Sequence, residues 1–326
     1  MKRVLIVSLV LGLLGLGTVY AEPQMEQTWP DPESTITVVV PYSAGGGTDS
    51  VFRPLVEEMK NFTDANVVVS NISGAGSSQG TNEVLSRPAD GYTLLAGGTH
   101  TVSATLQGLT EGYRELIGIA GLNWDPFIIA VTTDKPWMDM QDLVDAARAN
   151  PGEISLGNAG MGGATGVASV AINLAFDEAF NVTPFDGGND LRANVLGGHA
   201  DVGIFSQSEI LANQDRLRPL VVLYSERSRL PGLENVPTLA DAGFENLAAP
   251  GGSFRAVLVK EGTPDEARRE LIRIVREAYN TDRYQSFMEE QGLIPAYTDG
   301  EETDEYFDQL VDAFTPILDA AGLLAE

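Results

Sequence analysis

The sequence predicts an α/β fold, and three observations carry that reading. Short β-branched runs, most of them nearly continuous apolar stretches, alternate with amphipathic segments; glycine-rich turns stand where strand patterns give way to helical ones; and no low-complexity linker cuts the chain. Alternation of this kind packs helices on both faces of sheets that are largely parallel. The 326 residues fit two medium domains or one large one. A second domain inserted within the first, with two crossover strands as a hinge, needs no linker.

The first 21 residues have a positive n-region at Lys2 and Arg3, an apolar run from Val4, and short side chains at Val19 and Ala21. That is the pattern of a secretory signal peptide, with cleavage expected after Ala21. Strands are then expected at 36–40 (ITVVV), 66–70 (NVVVS), 92–98 (YTLLAGG) and 127–133 (FIIAVTT). Four more are expected at 154–158 (ISLGN), 200–206 (ADVGIFS), 220–225 (LVVLYS) and 254–260 (FRAVLVK).

Between them, residues 51–62, 138–150, 164–176 and 190–196 carry helical periodicity. Pro54 removes one backbone bond and is tolerable near a first turn, which puts the first helix start close to Asp49 or Ser50. Further on, Thr263 reads as an N-cap, Pro264 as the first helical residue and Glu266 as the capping-box partner. Two more packing helices are expected at 282–290 and 304–318.

Composition narrows the chemistry. With no cysteine, the chain has neither disulfides nor a thiolate metal site, and two lone histidines do not make an ordinary transition-metal centre; carboxylates remain able to hold calcium. The 20 Lys and Arg face 46 Asp and Glu, a formal net charge of −26, and signal cleavage would remove two of the basic residues. Such a field argues against nucleic acid or an anionic membrane surface as partner. It does not forbid an anionic ligand, because solvated charges are screened beyond about 8 to 10 Å at ordinary salt.

The stretch VVVPYSAGGGTD, residues 38–49, runs a strand into three glycines and a helix start. It is not a P-loop: Thr48 and Asp49 stand where a lysine should follow, and Asp49 would repel a phosphate. SGAGSSQG (73–80) and GNAGMGGATG (157–166) share the spacing G-x-G-x-x-x-G, which is not the dinucleotide spacing, and FDGGND (185–190) is a fourth such turn. Free N–H groups and helix dipoles at these junctions favour an anion, and several converging ends would hold a carboxylate without arginine. The segment GSSQG also matches G-x-S-x-G, which would make Ser78 a nucleophile; a triad of that type needs a histidine late in the chain, and His199 lies mid-chain with none after it.

With these loops the chain resembles the periplasmic receptors of tripartite tricarboxylate transporters, the Bug or TctC-like family. The resemblance runs from TITVVVPYSAGGGTD through SNISGAGSSQGTNEVLSRPADGYTLLAGG, GNAGMGGATG, TPFDGGNDLRANVLGGHADVGIFS and RSRLPGLENVPTLADAGF to VLVKEGTPDEARREL. The block from Asn71 to Thr81 followed by Pro88 to Leu95 is distinctive for it. It implies a two-domain periplasmic-binding-protein (Venus flytrap) fold with crossover hinge strands, not an enzyme. Domain 1 would comprise 34–130 and 255–326, and domain 2 would comprise 131–254. The protein would be a periplasmic monomer without cofactor or metal, binding a small carboxylate and passing it to the membrane permease subunits of the transporter. Two other readings are a ligand-presenting partner of a membrane kinase and an exported hydrolase using Ser78.

Carried over by motif, Tyr42, Ser43, Ala44, Gly46, Gly47, Thr48 and Asp49 would line one wall of the cleft, with Thr99 and His100. Backbone N–H groups of this loop and the Ser43 and Thr48 hydroxyls would hold the carboxylate. Asn158, Ala159, Gly163, Ala164 and Thr165, with Phe205 and Ser206, would line the other wall. Many relatives have Ser-Ser-Gly where this chain has Asn158, Ala159 and Gly160, often a histidine near Gly166, and a lysine where Asp186 stands. Asp186 near the pocket would disfavour an extra carboxylate or favour an amino or hydroxyl group. Arg255 is the one cation expected near the cleft, with a hinge-strand ion pair as its alternative role.

Overall fold

The structure is a computed structural model that describes residues 29–247 and 249–325. The expected signal peptide lies outside the described residues. The described chain begins with β1 (Thr35–Val40), α1 (Gly47–Met59) and β2 (Asn66–Asn71), followed by α2 (Ser78–Ser86), β3 (Thr93–Gly98) and α3 (Thr99–Leu106). The long β4 (Leu116–Thr132) leads into α4 (Met140–Ala149), β5 (Ile154–Asn158), α5 (Ala164–Ala175), β6 (Phe180–Pro184) and α6 (Gly188–Leu196). Then come β7 (Val202–Ser206), the short α7 (Gln207–Leu211) and β8 (Leu217–Val222). Finally β9 (Gly252–Lys260) precedes α8 (Asp265–Tyr279), α9 (Asp282–Glu290), β10 (Ile294–Asp299) and α10 (Gly300–Ala320).

These strands form two sheets that share β4. The first has the order β2-β1-β3-β9-β4, with β10 also paired to β4; β1, β2 and β3 are parallel, while β9 runs antiparallel to both its neighbours. β4 pairs with β9 as far as Pro126↔Gly252, and from Phe127 onward it pairs with β7 and β8 instead. In the second sheet β5, β6 and β7 are parallel and β4 is antiparallel to β7. The apolar runs therefore are covered strands as expected, but those that join the sheets run against the parallel sense.

Each sheet is packed on both faces. On one face of the first, Phe52, Leu55 and Met59 of α1 meet Ile36 and Val38 with Leu271 and Ile274 of α8; on the other, Val102 of α3 and Phe307 and Phe314 of α10 cover Leu95 and Leu258. The second sheet buries Leu143 and Val144 of α4 with Ala168 and Ile172 of α5 on one face, and Leu191 and Val195 of α6 on the other. Continuous apolar strands and amphipathic helices are two sides of that arrangement.

Several elements differ from the expectations, each for a local reason. The strand expected at 127–133 is only the second half of β4; Gly118, Gly121, Asn123 and Pro126 break the β pattern of the first half. α3, with the sequence THTVSATL, is not among the expected helices, because its β-branched residues weaken the helical signal, and tertiary burial overrides that propensity. Helix α1 starts at Gly47, so Pro54 lies in its second turn rather than its first; the Ser50 carbonyl it leaves unbonded belongs to an exposed residue and is open to water. At α8 the N-cap is Pro264, and the Thr263 hydroxyl donates to the Lys260 carbonyl at 2.7 Å, so no capping box forms.

Gly98 ends β3 where the chain turns into α3 against β9. Its φ is +139°, and a Cβ there would stand 2.0 Å from the Phe254 carbonyl oxygen. Gly98→Ala should therefore destabilise the protein by roughly 2 to 5 kcal/mol. A lower urea midpoint with an unchanged m value is the expected observation.

Candidate functional site

The carboxyl ends of the parallel strands in both sheets face one cavity, the position at which open α/β sheets hold ligands. From the first sheet it is lined by Tyr42, Gly46, Gly47 and Thr48 after β1 and by His100 after β3. Ala159, Ala164 and Thr165 after β5, and Ser206 after β7, line it from the second. Arg255, on β9, forms part of its floor. Ten of the residues expected from sequence thus meet in one place.

Three helices begin at this cavity without a side-chain cap. The N-cap residues are Gly46 for α1, Gly163 for α5 and Gly187 for α6. A glycine N-cap leaves the first-turn N–H groups free for an external acceptor, and each helix end favours negative charge by about 0.3 to 1 kcal/mol, up to about 2 when partly buried. Gly46 is itself spent within the loop, since its N–H donates to the Ser43 carbonyl at 3.2 Å.

The floor carries charge. Arg255 is 1 % exposed and Asp125 is fully buried; Nη2 of the arginine lies 3.1 Å from Oδ2 of the aspartate. Asp125 Oδ2 also accepts from the Ser208 hydroxyl at 2.8 Å, which ties α7 to the same carboxylate. Nε and Nη1 of Arg255 have no hydrogen-bond partner among the described residues. Both roles considered for Arg255 are therefore combined: it is a paired residue of a crossover strand and a cation at the cleft. Beside it, burial and the Arg255 charge push the His100 imidazole down to about 3, against a hydrogen bond to the Ala96 carbonyl that raises it. Glu209, also lining the cavity, is pushed above the usual carboxylate range by burial and by the charge of Asp125.

Eight expected residues lie elsewhere. Asp49 turns away from the cavity: burial raises its carboxyl, but Arg53, the Gly45 N–H and Asn71 outweigh that and hold it low. It braces its own loop and repels nothing in the cleft. Ser43 packs beside Gly187, and the exposed Ala44 accepts from Asn189 through its carbonyl at 2.7 Å. The Thr99 hydroxyl is spent on Phe254, accepting from its N–H at 2.7 Å. Asn158 is spent on Ser169 and the Gly160 N–H, and Gly163 contributes as the cap of α5. Phe205 belongs to the core, because alternation along β7 turns Ile204 and Ser206 to the cavity and Phe205 to the opposite face. Asp186 is exposed and outside the cavity lining, so the acidic influence expected of it does not act there. Ser78 also lies outside that lining and donates its hydroxyl to the Ala75 carbonyl at 2.8 Å, an arrangement without a base for a nucleophile.

Five lining residues were not expected: Phe127, Gly188, Ile204, Glu209 and Ser253. Glu209 had a readable signal, since Ser206-x-x-Glu209 is a capping box and the Ser206 N–H donates to Glu209 Oε2 at 3.0 Å. The two G-x-G-x-x-x-G loops also serve a purpose besides the open helix end at Gly163. Gly76, at φ +63°, lies against Gly162 so closely that a Cβ would be 2.6 Å from the Gly162 nitrogen. Bare backbone here lets two loops touch across the cavity, where Gln107 Nε2 also donates to the Met161 carbonyl at 2.9 Å.

A family model described as the tripartite tricarboxylate transporter family receptor matches residues 51–323. A protein from the tcbD-tcbE intergenic region of Pseudomonas sp. (strain P51) is 31% identical over 243 residues, covering 70% of this chain and 71% of its own. The periplasmic binding protein BugD has a similar structure, with a TM-score of 0.83 at 24% identity over 90% of this chain and all of its own. Two R. palustris proteins share the fold: one solved with adipate (TM-score 0.81, 22% identity, covering 90% and 98% of the two chains) and MatC with bound malate (TM-score 0.79, 20% identity, 87% and 99%).

Two outcomes follow from the floor of the cavity. Asp125→Asn leaves Arg255 buried without a counter-charge and should cost about 3 to 5 kcal/mol of stability, read by urea unfolding at neutral pH. Native His100 stays neutral where the unfolded chain binds a proton, so its contribution to stability declines as pH falls from about 6.5 toward 3, by about 1.4 kcal/mol per unit at most. His100→Gln should therefore unfold with a shallower loss between pH 6 and 4 than the wild type.

Proposed function

The chain belongs to the tripartite tricarboxylate transporter receptor family, and we propose that it is a periplasmic solute receptor that binds a small carboxylate and delivers it to the transporter's membrane permease. One observation carries the ligand class. Buried Arg255, whose Nε and Nη1 have no partner among the described residues, and the uncapped ends of α1, α5 and α6 border one cavity, in a protein whose net charge is otherwise strongly negative. An ionised carboxylate accepts several such charge-assisted bonds at once, and the low dielectric of a closed cavity strengthens each of them. Adipate and malate in the two R. palustris proteins of this fold are compatible with that reading.

In this proposal the lobes are residues 34–130 with 255–326 and residues 131–254, hinged on β4 and β9. Among the described residues, the side-chain hydrogen bonds between these lobes include Asn189–Ala44, Gln107–Met161, Gln207–Gly292 and Ser208–Asp125, beside the Gly76–Gly162 contact. Hydrogen bonds of this kind contribute about 0.5 to 1.5 kcal/mol each, so a ligand that contacts both lobes can decide between open and closed states. The closed form would be what the permease recognises.

The test is a thermal-shift panel of mono-, di- and tricarboxylates on the exported chain. Saturation at about 100 times Kd should add about 2.7 kcal/mol of stability. No shift with any carboxylate would contradict the proposal. Thr48→Val, which keeps the side-chain shape and removes one hydroxyl from the cavity wall, should weaken the bound carboxylate by about tenfold or more while leaving the ligand-free melt close to wild type.

A further inference from the structure

The cavity holds acceptors as well as donors. Glu209 uses Oε2 to accept from the Ser206 N–H, while Oε1 has no partner among the described residues. Its carboxyl carbon, the Arg255 Nη2 and the Ser206 hydroxyl all fall within 3.9 Å of the point where a Cβ on Gly47 would stand, so the acid sits directly beside the free end of α1. His100 supplies the second acceptor. Its hydrogen bond to the Ala96 carbonyl requires an N–H, its other nitrogen Nε2 is buried without a partner, and a neutral imidazole bears only one N–H. Nε2 is thus a lone pair at neutral pH.

An ionised carboxylate has only lone pairs to offer, and against His100 Nε2 and the ionised form of Glu209 it would leave two buried acceptors unmet, whereas a protonated Glu209 would donate to it. Of the charges facing Glu209, Asp125 disfavours its ionised form, while Arg192 and Arg255 favour it. Asp125 lies on the adjacent crossover strand and is already matched to Arg255, and Arg192 of α6 is spent partly on Asn189, to which its guanidinium donates. Burial raises the Glu209 carboxyl, so its charged form gains from a donor that arrives with the ligand.

Resting on the carboxylate-receptor reading above, we infer that the ligand is a carboxylate that also carries a hydrogen-bond donor, an amino or hydroxyl group, and that Glu209 selects for it. The carboxylate accepts from free N–H groups at the helix ends, and the donor on the same ligand meets Glu209 Oε1 and His100 Nε2. A site built around such a bond rejects analogues that lack the group, because its own polar atoms are then left unpaired.

Glu209→Gln is the informative variant. Glutamine also completes a capping box, and it can do so only by keeping its oxygen on the Ser206 N–H, which presents the amide NH₂ where Oε1 stood. An acceptor becomes a donor with the shape kept. Titration calorimetry on wild type and Glu209→Gln would compare unsubstituted, 2-hydroxy and 2-amino acids of one carbon skeleton: propionate, lactate and alanine; succinate, malate and aspartate; glutarate, 2-hydroxyglutarate and glutamate. Wild type should bind a hydroxy or amino member at least tenfold more tightly than its unsubstituted counterpart, and Glu209→Gln should abolish or invert that preference. A stronger preference for the amino member identifies an ammonium as the donor, and parity of amino and hydroxyl identifies neutral hydrogen bonding; both support the inference. Equal binding of substituted and unsubstituted acids by wild type, or a Glu209→Gln variant that keeps the wild-type preference, overturns it and leaves the carboxylate reading standing. Absence of binding across every series and the wider panel overturns that reading, and this inference with it. If Glu209→Gln does not fold, the wild-type series alone decides.

Discussion

The buried ion pair of Arg255 and Asp125 is the constraint around which this molecule is arranged. Both side chains are withdrawn from water, on the neighbouring strands β4 and β9, just before β4 passes from the first sheet into the second. Neither charge is tolerable alone in that setting, because the desolvation of a lone ion costs several kcal/mol. Their pairing fixes β4 against β9 in register, with Asp125 opposite Ser253 and Arg255 opposite Asn123. Through Ser208 it also draws in the helix that follows β7. The same pair leaves Nε and Nη1 of the guanidinium without partners among the described residues, so one interaction both holds β4 in place where it passes between the sheets and sets a cation at the cavity floor.

The walls follow from the direction of the strands. Parallel strands deliver all their carboxyl ends to one edge, each leads into a helix, and every such helix turns its positive end toward that edge. With two sheets facing each other, α1 comes from one side and α5 and α6 from the other. Individually these ends are weak. Their sum matters because the space between them is small and the side chains that would otherwise cap them are replaced by glycine.

Glycine serves two physical purposes here, and the spacing of the residues does not tell them apart. In the loop before α1 it leaves N–H groups bare. In the loops around Gly76 and Gly162 it removes side chains so that backbone can meet backbone across the cavity. The strongly acidic surface is compatible with the positive interior because screening isolates solvated charge, whereas the cavity is governed by groups a few ångströms away.

The sequence by itself determined the α/β class, most strands and long helices, and the loops that reach the cavity, because hydrophobic period and glycine position are local properties of the chain. It also carried the family resemblance, through motifs spread along its length. It left out α3, whose threonines weaken the helical signal, and it missed the first half of β4, whose glycines hide a strand held by neighbours on both edges. Only the tertiary structure decided which polar groups are left over. Asp49 is consumed by Arg53 and Asn71, Asp186 lies outside, Phe205 turns into the core, and Glu209 takes up a position that no one had to read as more than a helix cap. Whether a side chain meets the ligand depends on which partners have already claimed it, and some of those partners, such as Asn71 for Asp49 and Phe254 for Thr99, lie far along the chain.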